Sequence, residues 1–245
     1  MEILTQSIIL VLIGASVYGL CRLLKLKPVY PVIARPKRSA LCSLASVSAS
    51  FLIILTLILI FQKPGPTQGV DHEHHRNLVD QLFLLFVFFL PMGFMLRLNG
   101  ETLQSVGLTR VNLWKATVVG LFLAAMTLFF GHGGPGAAFK FTESHNVHTL
   151  IYFSFVGFGE EILFRGYLQS RLVAWLGRYQ GWVLASVVMA LTHLPQRVLI
   201  QGMGFPGAIA SSLGLIPISL FMGFVMLRTG NVIAPAISHT FADWV

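Results

Sequence analysis

"GFGEEILFRG", residues 157–166, places Glu160, Glu161 and Arg165 within six residues of a run otherwise apolar enough to cross a membrane. The surrounding composition fixes the setting. Of 245 residues, 55% are hydrophobic and 11% charged, with a mean hydropathy of +0.77. A soluble domain is about half apolar and about a quarter charged. The apolar excess falls into long runs separated by short charged loops. This is the pattern of a polytopic membrane protein, in which about 20 apolar residues span the hydrocarbon core. Eight runs qualify as candidate spans: 3–20, 40–62, 78–98, 113–131, 147–175, 180–195, 207–227 and 231–245. Backbone groups in lipid must pair internally, so the spans are expected to be helices. No strand-type alternation suggests a barrel. The expected fold is an all-α polytopic bundle of about eight transmembrane helices, a multi-pass integral protein of the cell membrane.

Span one follows Met1-Glu2 directly and has no basic n-region, so it is expected to be a retained helix and not a cleaved signal peptide. The net charge of +8 does not imply nucleic acid. Thirteen of the seventeen Lys and Arg residues fall on one side of the predicted spans, including Arg22, Lys37, Arg97, Arg165, Arg171 and Arg228. Lys63, Arg76, Lys140 and Arg197 fall on the other. The positive-inside bias then places both termini outside and the basic loops in the cytoplasm, facing anionic lipid headgroups. Cys21 and Cys42 build neither a disulfide framework nor a metal motif. The loop 62–77 carries His72, His74 and His75. Its "HEHHR" lacks the second His of a zinc HExxH helix, and it reads as a solvated connector.

The halves of the chain differ. Residues 1–146 are expected to form helices one to four, almost free of charge in their cores. Residues 147–245, helices five to eight, carry Glu160, Glu161, Arg165, His193, His239 and Asp243. Ionisable groups inside a membrane cost several kcal/mol unless paired or hydrated, so they mark function. Glu161 and Arg165 stand four apart on a helix and can pair. Glu160 points about 100° away, on the strip of Gly157 and Phe164, with no local cation. It is expected to meet His193, His239 and Asp243 in a shared polar site. At 1.5 Å per residue, Glu160, His193 and His239 lie about 20, 18 and 12 Å from the starts of their helices, compatible with one layer. A carboxylate and an imidazole beside a water can generate a nucleophile, and further polar groups can bind an oxyanion. The same atoms could hold Zn²⁺. Buried Glu and His chains also serve proton-coupled transporters, and a non-catalytic immunity or scaffold protein is a further reading.

Three motifs in this half resemble the CAAX prenyl-protease and bacteriocin-processing (CPBP, or Abi) intramembrane peptidases. The family's EExxxR reads here as Glu160-Glu161-Ile-Leu-Phe-Arg165, followed by Gly166. Its FxxxH reads as Met189-Ala-Leu-Thr-His193, and its HxxxN or HxxxD as His239-Thr-Phe-Ala-Asp243. The resemblance implies an intramembrane endopeptidase acting on a peptide or protein substrate, lipid-modified or membrane-bound. It implies that Glu160, helped by His193, activates water, that His239 and Asp243 bind the oxyanion or substrate carbonyl, and that Glu161 and Arg165 support the site. The family has been described both as zinc-dependent and as metal-independent; the metal-independent glutamate chemistry is preferred here. Met189 replaces a Phe, a packing change, and Asp243 stands where many members have Asn. Span eight, at about fifteen residues with Pro235 inside it, is short for a full crossing. A truncated chain or a helix ending at the interface is expected.

Overall fold

The computed structural model describes residues 2–27, 30–61, 78–131 and 144–244. The loop of His72, His74 and His75 lies outside them. Among the described residues there is no strand, and the protein is a helical membrane bundle. In chain order the helices are α1 (Glu2–Leu23), α2 (Pro36–Phe61), α3 (Leu78–Leu98) and α4 (Leu113–Gly131), then α5 (Ser144–Glu161). A π-helical segment, Ile162–Gln169, continues α5 into α6 (Ser170–Leu176). There follow α7 (Arg178–Thr192), α8 (Leu194–Leu199), α9 (Phe205–Leu213), α10 (Ile216–Thr229) and α11 (Ile233–Trp244).

Five stretches are long and apolar enough to cross a membrane: Pro36–Leu57, Gln81–Leu98, Val147–Leu176, Arg178–Leu199 and Phe205–Thr229. Val11–Leu23 and Leu113–Phe129 are shorter apolar helices. The eighth segment, α11, has 12 residues, about 18 Å of helix against about 30 Å of hydrocarbon. Large apolar side chains such as Leu52, Ile60, Phe86, Leu90, Phe94 and Leu121 stay exposed. In water such a belt would be costly; against lipid tails it is the expected outer surface.

What the helices bury is as telling. One core gathers Leu163, Phe164, Leu168 and Leu172 from the π segment and α6 against Val47 of α2, Phe88 and Met92 of α3, and Met189 of α7. The other gathers Val17 of α1, Val119 and Leu123 of α4, and Phe221 and Val225 of α10. Helix α11 packs between α4 and α5. The approach is close because glycine faces it on both sides. A Cβ on Gly120 would stand 3.0 Å from the Ala234 carbonyl, and one on Gly157 would stand 2.8 Å from the Thr240 amide nitrogen. Such backbone contact lets helices associate by packing where lipid offers no hydrophobic drive.

The positive-inside count requires a correction. Arg165 and Arg171 are not loop cations: they are 2% and 0% exposed. Arg197 likewise lies on a helix and lines a cleft; dropping two from the thirteen and one from the four leaves eleven against three, so the bias persists. Arg171 instead ties α6 to the segment after α3. Its guanidinium meets Glu101 Oε2 at 2.6 Å, donates to the Ser105 carbonyl at 2.7 Å and to the Ser105 hydroxyl, and stacks 4.7 Å over the Tyr167 ring. Ser39 of α2 donates to the other Glu101 oxygen at 2.5 Å. A buried guanidinium is tolerable only with its donors satisfied in this way. The network joins N-terminal helices to the helix that carries the first motif.

Candidate active site

Glu160 and Glu161 end α5, and the backbone then widens into the π turn. All eight residues of that segment are buried. π-Helical turns are rare, and they concentrate at functional sites because they re-aim side chains that an α-helix would direct elsewhere. Glu161 and Arg165 still meet, as their spacing predicts: Arg165 Nη1 lies 3.3 Å from Glu161 Oε1. The contact is an ion pair without hydrogen-bond alignment. Arg165 Nη2 also donates to Ser219 Oγ of α10 at 3.3 Å. No pattern in the sequence marked Ser219.

Glu161 has a second partner that the sequence reading did not assign. His239 Nδ1, on α11, stands 2.9 Å from the same Oε1. His239 Nε2 stands 3.3 Å from Asp243 Oδ2, one turn further along α11. His239 therefore bridges two carboxylates, Glu161 and Asp243, and among the described residues no hydrogen bond joins it to Glu160. Glu161 is fully buried, and its Oε2 has no hydrogen-bond partner among the described residues.

Glu160 is only partly buried. Among the described residues no hydrogen bond or ion pair engages its carboxylate. His193 caps α7, and its Nδ1 lies 2.9 Å from the Met189 carbonyl oxygen. A carbonyl can only accept, so Nδ1 carries the hydrogen, and a neutral His193 keeps its lone pair on Nε2. The bond uses only the backbone of Met189, which is why Met in place of Phe at that motif position leaves it intact. The Met189 side chain is buried and packs.

One open cleft of about 1000 Å³ is lined by Glu160, Glu161, Arg165, His193, His239 and Asp243. All six residues singled out in the sequence thus reach a common space from α5, the π segment, α7 and α11. Gln196, Arg197 and Gln201 extend its wall. The free carboxylate, the imidazole with an open Nε2 and the fixed His239 give it the groups that base-assisted attack by water requires. Among the described residues no three His, Cys, Asp or Glu side chains assemble as a metal-ligand set. The donor set therefore does not fit a resident zinc.

The comparison with protein families agrees with the motifs. Residues 142–245 match the Rce1-like family, type II CAAX prenyl endopeptidase Rce1-like. The matched Rce1-like segment is less than half of the chain and contains every residue lining the cleft. It bears out the resemblance to the CPBP peptidases, a family of proteases. No curated protein matches the chain, and no solved structure does.

Proposed function

We propose that the protein is an intramembrane endopeptidase of glutamate type, whose catalytic core is residues 147–245 and whose helices within residues 1–146 shape and support it. Glu160 is the general base. It takes a proton from a water held between its carboxylate and Nε2 of His193, and the hydroxide attacks the scissile carbonyl carbon. Asp243 orients the His239 ring through Nε2 in the resting site, and as charge develops the Nε2–H of His239 turns from Asp243 to the oxyanion. Glu161 fixes Nδ1 of His239 and is itself fixed by Arg165. The proton on Glu160 then passes to the leaving amine as the C–N bond breaks. The substrate is a membrane-bound or lipid-modified peptide.

The observation that carries this reading is the division of labour between two adjacent glutamates. Glu161 is buried and committed to Arg165 and His239; Glu160 is partnerless among the described residues and faces the cleft beside His193. A buried or half-buried carboxylate without a cation is costly to keep, and functional sites are where such groups persist. The ordered motifs and the Rce1-like match support the same assignment.

The test is cleavage of an S-prenylated peptide ending in a Cys-aliphatic-aliphatic-X sequence by purified protein in H₂¹⁸O, under single-turnover conditions. Mass spectrometry is expected to find one ¹⁸O in the new C-terminal carboxylate, delivered by direct attack of water. Absence of cleavage contradicts the peptidase. An unlabelled first-turnover product contradicts Glu160 as a base and makes it a nucleophile.

A further inference from the structure

Two guanidinium groups reach the cleft, and they are not equivalent. Arg165 is spent on Glu161 and Ser219. Arg197 has no carboxylate partner among the described residues. Its Nη1 donates to Gln201 Oε1, a neutral group, at 3.1 Å, and its Nε is buried without a hydrogen-bond partner. A buried donor left unmade is destabilising, and an entering acceptor relieves it. Arg197 sits one helical turn beyond His193: its backbone N–H donates to the His193 carbonyl at 3.1 Å. Their side chains therefore share a face about 5–6 Å apart.

Resting on the peptidase reading, we propose that Arg197 is a specificity residue that receives the free α-carboxylate at the substrate's C-terminus. Charge favours this end of the cleft. The other charged groups lining the cleft are Arg165, already paired with Glu161, and three carboxylates, Glu160, Glu161 and Asp243, so Arg197 is the cation there without a carboxylate partner among the described residues and the carboxylates disfavour an anion nearer to them. Reach sets the register. A peptide covers about 3.3–3.6 Å per residue, so a carboxylate at a guanidinium one turn from His193 belongs one to three residues beyond the scissile bond. Gln201 holds the guanidinium in place while leaving its other N–H groups to bind a carboxylate in the fork geometry that Arg favours. Glu160 and His193 also line a second cleft of about 1080 Å³, which Arg197 does not line and whose walls include Phe51, Leu55, Leu85 and Phe88. The upstream, apolar part of a substrate suits that wall. A substrate lying across Glu160 is thereby oriented with its charged end at Arg197.

The test reads binding, so it stands apart from catalysis. Full-length protein carrying Glu160→Gln, to block turnover, is titrated in micelles with the fluorescent S-prenylated peptide as the free acid and as the C-terminal amide. The acid is expected to bind about tenfold or more tightly than the amide, as loss of a charge-assisted bond implies. Adding Arg197→Gln is expected to remove the preference while leaving amide binding unchanged, and Arg197→Lys to restore part of it. Equal affinity for acid and amide before any change at Arg197 overturns the proposal, and so does failure to bind either. A preference surviving Arg197→Gln overturns it as well. An amidated peptide with Glu at its last position that binds as well as the acid also overturns it, since a side-chain carboxylate would then suffice. Cleavage that fails in the native protein while the acid preference holds counts against the peptidase and not against Arg197.

Discussion

His239 Nδ1 lies 2.9 Å from Glu161 Oε1, and the two are 78 residues apart in the chain. The same oxygen is 3.3 Å from Arg165 Nη1. One buried carboxylate thus joins α11 to the π segment and sets the orientation of the imidazole that faces the cleft.

The two glutamates are expected to respond differently to the same substitution. Glu161→Gln leaves Arg165 buried without a counter-ion, and breaking such a pair costs about 3–5 kcal/mol. Glu160→Gln changes a group on the cleft wall and is expected to alter stability by less than about 1 kcal/mol. Thermal melts of the purified variants in one detergent check this. Equal destabilisation by the two would contradict the division of roles.

Gly157 sets the distance between α5 and α11. Gly157→Ala places a methyl group where the Thr240 amide nitrogen and hydroxyl both lie within 2.8 Å of the ideal Cβ. Overpacking of this kind costs about 1–3 kcal/mol. The displacement is also expected to pull His239 away from Glu161, lowering cleavage by about tenfold or more through a small misplacement. Cleavage rate and melting temperature measured together check it; wild-type values of both would show that the contact is not needed.

Part of this arrangement is legible in the sequence. The apolar runs announce the membrane helices, and the four-residue spacing pairs Glu161 with Arg165. The absence of a cation near Glu160 separates the glutamates before any coordinates are known. The His239–Glu161 contact is not legible, because either glutamate could face α11 until the helix register is known. The π turn across Ile162–Gln169 has no composition signal and alters the register from the motif onward. Arg171 follows a serine near a helix end and reads as one of the cytoplasmic-side cations. Only its tertiary partners, Glu101 and Ser105, identify it as buried. Arg197 did leave a signal, its placement four residues after His193, but its lack of a carboxylate partner is visible only in three dimensions.

Asp243 stands 3.3 Å from His239 Nε2 and its side chain is 37% exposed. Its proposed task is to orient the ring, for which an amide oxygen serves as an acceptor too. Asp243→Asn is expected to keep cleavage within about tenfold of wild type, whereas Asp243→Leu, with no acceptor, is expected to lose about 10²-fold or more. Steady-state rates on one prenylated peptide check the pair. An inactive Asn variant beside an active Leu variant would reverse the assignment.

Because no metal-ligand set assembles among the described residues, cleavage is expected to proceed unchanged after dialysis against EDTA and in the presence of 1,10-phenanthroline. Loss of activity on chelation with recovery on adding Zn²⁺ would replace the glutamate mechanism with a metal-based one.

The central claim is that Glu160 activates the water. The most direct measurement is the cleavage rate of Glu160→Gln against wild type on one prenylated peptide, with both proteins shown to melt at the same temperature. Loss of a general base is expected to slow cleavage by about 10²–10⁴-fold. A folded Glu160→Gln protein that cleaves within a few-fold of wild type would contradict the account.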